Sequence, residues 1–175
     1  NLDPRNREAR LTLALAYMEV QKPERAIEEL NTLLQGAPND HEARYLLGGA
    51  YEEKKMNDEA LREYERIPST STLYAGAQVR AGYILKSQGK TAEAIERARK
   101  ALAVKANDAA LYGLLAALYE SDNRLPEAEK TLKDGLAAAP KSIDLRYRLG
   151  MIYDRMGRFD EAIAEMEAIL KPPCT

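Results

Sequence analysis

Apolar residues recur along this chain at the spacing of a helix face. Leu47, Ala50 and Tyr51 stand at i, i+3 and i+4, and Leu149, Ile152 and Tyr153 repeat the spacing, which puts each trio on one side of an α-helix. A turn segment follows each such stretch: Lys54-Lys55-Met56-Asn57, Ser87-Gln88-Gly89-Lys90, Asp122-Asn123-Arg124 and Met156-Gly157-Arg158. Gly89, Asn123 and Gly157 hold the same place in these segments, where a left-handed residue ends a helix. Asn57 and Thr91 are then expected to cap a second helix, with Glu59 and Glu93 in its first turn. Pro38 and Pro140 stop that second helix before the next one begins. The pattern predicts pairs of helices joined by short turns.

The pairs recur. Ala26, Ala60, Ala94, Ala128 and Ala162 each lie 34 residues after the last, without an insertion. Tyr17, Tyr51, Tyr119 and Tyr153 keep that step, with Leu85 in the third place. Ala14, Gly48, Gly82, Ala116 and Gly150 form a column of small residues, and Leu13, Leu47, Leu115 and Leu149 another column, with Ala81 in third place. Several columns held in register are the mark of a tandem array. A small residue on each facing helix lets two backbones approach closely, while tyrosine or leucine fills the flanking space. The repeats run 7–40, 41–74, 75–108, 109–142 and 143–175. Residues 1–6 read as the tail of a preceding repeat, because Pro4 lies 34 positions before Pro38. Residues 171–175 add no polar capping helix, which arrays normally need. A section of a longer protein, or a short array completed by self-association, is expected.

The order leucine, small residue, tyrosine three on, alanine nine on and proline twelve on resembles the tetratricopeptide repeat, over nearly the whole chain. The resemblance implies an all-α fold, a right-handed α-solenoid of tandem antiparallel helix-turn-helix repeats. It also implies a protein-binding scaffold rather than an enzyme. The family often carries tryptophan or another bulky apolar residue three places before the leucine; here Arg10, Arg44, Gln78, Tyr112 and Arg146 stand there. The third repeat departs furthest, with Ala81, Leu85, Ala98 and Ala101. The regular, alanine-rich repeats suggest a bacterial source.

One irregularity is written into repeat two. Pro68 arrives four residues earlier than the corresponding prolines of repeats one and four. It lacks an amide donor and its ring clashes with the preceding turn, so the helix should end near Ile67. A residue of Ser69-Thr70-Ser71-Thr72 should then open the next helix early, taking in Leu73 and Tyr74.

Once the repeated core columns are set aside, each first helix keeps a second stripe at i, i+4 and i+7. It comprises Leu11, Leu15 and Met18; Tyr45, Gly49 and Glu52; Val79, Tyr83 and Lys86; Gly113, Ala117 and Glu120; Tyr147, Met151 and Asp154. By the resemblance this stripe lines the concave groove. Gly49, Gly113 and Ala117 serve either ligand contact or tight packing, and both readings stand. Leu11, Leu15, Tyr45, Tyr83 and Tyr147 are expected as contacts, because apolar patches on a charged protein mark interaction sites. Charge varies along it: Glu8, Glu19, Glu42, Glu52 and Glu53 are acidic, Arg80 and Lys86 basic, and Asp144, Arg148, Asp154 and Arg155 mixed. The candidate groove residues are therefore Leu11, Leu15, Met18, Tyr45, Glu52, Val79, Arg80, Tyr83, Lys86, Tyr147, Arg148 and Met151. The junction of repeats two and three, beside Arg80 and Tyr83, is its favoured centre. Chaperone-binding members of the family grip a C-terminal carboxylate with lysine, asparagine and arginine. The matching places here carry Leu11, Leu15, Leu46, Gly76 and Arg80, and only the arginine matches, which argues against such a clamp.

Composition narrows the chemistry. A net charge of −2 gives no footing for nucleic acid, and no apolar run is long enough to span a bilayer. His41 is the sole histidine and Cys174 the sole cysteine, so no triad or metal cluster is visible and no cofactor is expected. His41 is read as a surface or capping residue, and Cys174 as an incidental terminal thiol. Gly89-Lys90-Thr91 resembles the end of a phosphate-binding loop, but Ile84 stands where that loop needs glycine. The leading expectation is a non-catalytic scaffold that receives a peptide or helix of a partner protein. The alternatives are a structural module that self-associates through its terminal repeats, and the targeting arm of a larger enzyme.

Overall fold

The computed structural model describes residues 6–170. Among them are ten α-helices and no strand. They are α1 (Arg7–Glu19), α2 (Pro23–Gly36), α3 (His41–Glu53), α4 (Asn57–Glu65), α5 (Tyr74–Ser87), α6 (Thr91–Val104), α7 (Ala109–Ser121), α8 (Leu125–Ala138), α9 (Ile143–Arg155) and α10 (Phe159–Leu170). The fold is an all-α repeat fold. The chain divides into two compact units, Asn1–Ile84 and Leu85–Thr175, the division falling within α5. Pro4, Cys174 and the rest of residues 1–5 and 171–175 lie outside the described residues.

The same turn closes every odd-numbered helix. Gln21, Lys55, Gly89, Asn123 and Gly157 all have positive φ, between 55° and 76°. Each donates its backbone N–H three residues back, to Met18, Glu52, Lys86, Glu120 and Asp154. The next residue donates five back, from Lys22, Met56, Lys90, Arg124 and Arg158 to Tyr17, Tyr51, Leu85, Tyr119 and Tyr153, over 2.8–2.9 Å. That pair of bonds is the Schellman arrangement, which satisfies the last carbonyls of a helix. Gly89, Asn123 and Gly157 behave as their residue types require. Gln21 and Lys55 accept the left-handed conformation despite carrying a Cβ, at a modest cost that the bonds offset.

The expected caps are corrected. Asn57 and Thr91 are the first residues inside α4 and α6, not their caps. The cap residues are Met56 and Lys90, which make no side-chain cap bond, since a lysine ammonium has no acceptor and a thioether only a weak one; both also end the preceding Schellman turn. Side-chain capping is seen at four of the odd-numbered helices. Asn6, Asp40, Asp108 and Ser142 accept bonds from backbone N–H groups of α1, α3, α7 and α9, satisfying donors that helix geometry leaves unpaired. His41 is therefore the residue after a cap; it is half-buried, and its Nδ1 has no hydrogen-bond partner.

Pro68 acts as its chemistry demands. Helix α4 has 9 residues where α2 has 14, ending two positions ahead of Ile67. Ile67 turns back into the core, and Ser71 Oγ accepts from Leu73 N at 3.2 Å. Helix α5 then opens at Tyr74, with Leu73 just outside it, and has 14 residues where α3 has 13.

The core follows the columns. Ala26, Ala60, Ala94, Ala128 and Ala162 are all buried, as are Leu47, Ala81, Leu85, Leu115, Tyr119, Leu149 and Tyr153; Leu13 is exposed on α1. In the first unit one cluster joins Leu11, Ala14, Ala26, Leu30, Leu33, Ala43, Leu47 and Ala50. A second joins Ala60, Tyr64, Ile67, Ala77, Ala81 and Ile84. Arginines stand where the resembled family favours a bulky apolar residue, and ion pairs explain them. Arg10 pairs with Glu29, Arg44 with Glu63 at 2.6 Å, and Arg146 with Glu165 at 2.9 Å. Each pair ties a helix to the next one with stems packed between them. Tyr112 takes that place on α7, fitting against Gly135 of α8, where a Cβ would come within 2.8 Å of the tyrosine.

Candidate functional site

Helices α1, α2, α3 and α5 of the first unit border a cavity of about 400 Å³. Its wall is Ala14, Leu15, Met18 and Leu30 with Leu46 and Gly49; its polar rim is Tyr45, Glu52, Glu53 and Arg80. Residues three and four apart share a helix face, so Leu15 and Met18 arrive together from α1, and Tyr45, Gly49, Glu52 and Glu53 from α3. Leu15 is 47% exposed, while Met18 and Leu46 pack partly on the core beneath. Glycine shapes the site at two points. At Gly48 an added Cβ would meet the Tyr64 ring, and at Gly76 it would come within 3.3 Å of Tyr45 Oη.

A hydrogen-bonded network anchored on one buried ring holds the rim. Tyr64, fully buried, donates its hydroxyl to Glu52 Oε1. Arg80 Nη1 donates to the same oxygen at 3.1 Å, and Arg80 Nε to Tyr45 Oη at 3.0 Å. The Arg80 guanidinium lies 5.6 Å from the centre of the Tyr45 ring, within cation–π range. The Tyr45 and Tyr64 rings are 5.7 Å apart and tilted by 56°, a favourable aromatic geometry. Burial first, and then the hydrogen bond to Glu52, push the Tyr64 phenol far above its ordinary pKa, so it remains a neutral donor. Burial opposes the charge on Arg80, but its bond to Tyr45 and the negative groups around it prevail and hold it cationic. Glu53 is exposed and has no ion-pair partner among the described residues.

The structure gathers Leu15, Met18, Tyr45, Glu52 and Arg80 around this one cavity. Leu11 is corrected: at 7% exposure it belongs to the core cluster, not to a ligand surface. The stripe drawn at i, i+4 and i+7 is wide enough for its first member to turn inward. Val79 is half-buried and Tyr83 is 40% exposed on α5, and neither lines the cavity. Lys86, Tyr147, Arg148 and Met151 belong to the second unit. There Tyr147 and Met151 are exposed, and Arg148 pairs with Asp144 at 2.8 Å beside Gly113. Gly113 and Ala117 are buried, which favours their packing role. Of the acidic residues along the stripe, Glu42 is neutralised away from the cavity, since Arg7 holds it at 2.6 Å together with Asp40 at 2.5 Å. Sequence reasoning missed Tyr64. Its signal was positional: it stands in the register of Leu30, Ala98, Leu132 and Met166, opposite a glycine.

Among the described residues no group of three histidine, cysteine or carboxylate side chains comes together as a metal site. No helix of the described residues is long and apolar enough to cross a membrane. Gly89-Lys90-Thr91 joins two helices rather than a strand and a helix. What the site offers is an apolar wall beside fixed polar groups.

Family models described as tetratricopeptide repeat match residues 11–73, 85–143 and 143–171. The chain belongs to the tetratricopeptide repeat family. Tetratricopeptide proteins are a protein-interaction class, and their folds are generally non-catalytic scaffolds. Among curated relatives, the general transcriptional corepressor trfA of Dictyostelium discoideum is 25% identical over 127 residues, 71% of this chain and 9% of that protein. The ER membrane protein complex subunit 2 of Xenopus tropicalis is 27% identical over 126 residues, 72% of this chain and 42% of that protein. The chain thus spans less than half the length of either. Among solved structures, MamA from Desulfovibrio magneticus RS-1 has a TM-score of 0.69 at 19% identity, covering 93% of this chain and 92% of its own. YrrB, described as a TPR protein with an unusual peptide-binding site, has a TM-score of 0.61 at 19% identity, covering 92% and 83%. These likenesses show the fold.

Proposed function

We propose that this tetratricopeptide protein is a non-catalytic scaffold whose first-unit cavity receives a peptide or helix of a partner protein. The observation that carries the reading is the exposed Leu15 and partly exposed Met18 and Leu46, set beside a rim that Tyr64, Glu52, Arg80 and Tyr45 hold in place. A rim fixed before the ligand arrives loses little entropy on binding, so a few anchors supply the affinity. YrrB, a TPR protein with a peptide-binding site and the same fold, agrees with this use of the architecture. Val79 and Tyr83 extend the proposed surface along α5. Tyr147, Met151, Arg148 and Lys86 offer a second contact area on the other unit.

Leu15→Arg tests the proposal. The side chain is exposed, so the melting midpoint should stay within a degree or two, as for ordinary surface changes. Affinity for a peptide selected on the native protein from a random display library should fall by more than about tenfold, as at a buried anchor. Undiminished binding would remove the cavity as the site.

A second reading, self-association, has its own observation. Phe159, Ile163 and Leu170 are exposed on α10, at 62%, 56% and 82%. Light scattering over a concentration series separates it: a rising mass supports association through such faces, and a constant monomer mass excludes it.

A further inference from the structure

We propose that the first-unit cavity selects a partner segment in which an aliphatic side chain sits next to a lysine or arginine. The aliphatic group would rest on Leu15, Met18 and Leu46, and the cation would face Glu53. This deepens the reading of the cavity as a peptide site and rests on it.

Charge accounting carries the inference. The lining holds three ionic groups, Glu52, Glu53 and Arg80. Arg80 and Glu52 satisfy each other at 3.1 Å, and Tyr64 donates to the same carboxylate oxygen. Lys54, the nearest cation in sequence to Glu53, is held by Glu24 at 3.0 Å. Among the described residues Glu53 is left as the one unpaired ionic group of the lining, so the rim presents net negative charge to whatever enters. Arg80 has already committed its Nε to Tyr45 and its Nη1 to Glu52, so an acidic ligand would meet only its remaining N–H groups, on a cation whose charge Glu52 already balances, while facing Glu53.

Size and polarity select the rest. A cavity of about 400 Å³ lies near the lower end of ligand pockets, roughly 300–1,000 Å³. It admits a few side chains of an extended or helical segment rather than a folded surface. Its wall is aliphatic and thioether, surfaces that reward an aliphatic group and adapt around it. Tyr45 Oη accepts from Arg80, which leaves its own hydrogen to donate to a backbone carbonyl of the segment.

The test is to pan a random-peptide display library on the full chain, then titrate the enriched peptides against native protein, Glu53→Gln, Glu53→Lys and Leu15→Arg. Peptides carrying leucine, isoleucine or methionine beside lysine or arginine should be enriched. Glu53→Gln should weaken them about two- to fivefold, the upper part of the range of an exposed ion pair. Glu53→Lys should weaken them further, and raised salt should narrow these differences. Enriched peptides that are acidic, or that ignore Glu53→Gln while Leu15→Arg abolishes binding, would overturn the cationic selection and leave the cavity standing. Peptides indifferent to both Leu15→Arg and Glu53→Gln would overturn the cavity as well, and so would the absence of any enriched peptide.

Discussion

At Gly48 the Cβ of an alanine would fall 2.5 Å from Cε1 of Tyr64. Helices α3 and α4 therefore meet through bare backbone on one side and a fully buried ring on the other. Gly48→Ala should destabilise the protein by about 1–3 kcal/mol, the cost of forcing atoms into a packed core, read from the urea midpoint. In a Tyr64→Leu background, which gives this register the residue it has at Leu30 and Leu132, the penalty should fall to less than half. An equal penalty in both backgrounds would show that Tyr64 is not what excludes the methyl group.

The alanine column makes the same argument across the repeats. Ala60 and Ala128 are fully buried, and leucine at either should cost roughly 1–3 kcal/mol by overpacking. Thermal melts of the two variants check this. A neutral outcome at both would mean that the helices separate easily and that close approach is not what fixes alanine there.

The ion pair Arg44–Glu63 should matter where Arg25–Glu28 does not. Its side chains are each 11% exposed, against 63% for the other pair. Arg44→Ala leaves Glu63 in a buried setting with only the more exposed Arg66 as partner, and should cost about 2 kcal/mol. Arg25→Ala should leave the denaturation midpoint nearly unchanged, since its pair is screened by solvent. Replacing both members, Arg44→Met with Glu63→Leu, should recover most of the loss, since an apolar pair of similar volume needs no desolvation. Chemical denaturation of the four proteins decides between these outcomes.

How much of this could be read in the sequence depends on the range of the interaction. The alanine column and the turns at Gly89, Asn123 and Gly157 were legible because each needs one residue type at one place. Gln21 and Lys55 were not, since five-residue hydrogen bonding rather than residue preference puts them in the left-handed region. Asn57 and Thr91 misled because polar residues suit both a cap and the first helical turn; the chain uses Asn6, Asp40, Asp108 and Ser142 instead. The arginines at 10, 44 and 146 looked like departures until each met a glutamate 19 residues on. That distance is set by the geometry of a helix pair, which local periodicity does not report. Leu15 and Tyr45 of the site follow from the stripe, whereas Tyr64 enters it from another helix altogether.

Asp40 makes stability depend on pH in a defined direction. Its burial raises the carboxyl pKa, but hydrogen bonds from Arg7 and from the Ala43 N–H outweigh that and hold it below 3.8. The folded state therefore binds its proton less readily than the unfolded one. The contribution is complete above about pH 4 and fades as pH falls through the lower folded value. Asp40→Asn keeps a competent cap and removes the charge. It should lower the urea midpoint at pH 7 and converge with the native protein toward pH 2. A gap that persists unchanged at low pH would assign the effect to the cap and not to the ion pair.

The most direct test of the first-unit cavity as the partner site is backbone-amide shift mapping of the labelled chain with a library-selected peptide. Progressive shifts should concentrate at Leu15, Met18, Tyr45, Gly49, Glu52, Glu53 and Arg80, with the indole-free rim reporting through the Tyr45 ring protons. Core amides such as Leu132 should stay where they are. Shifts confined to α2, α4 or the second unit, with Leu15 and Tyr45 unmoved at saturation, would contradict the account.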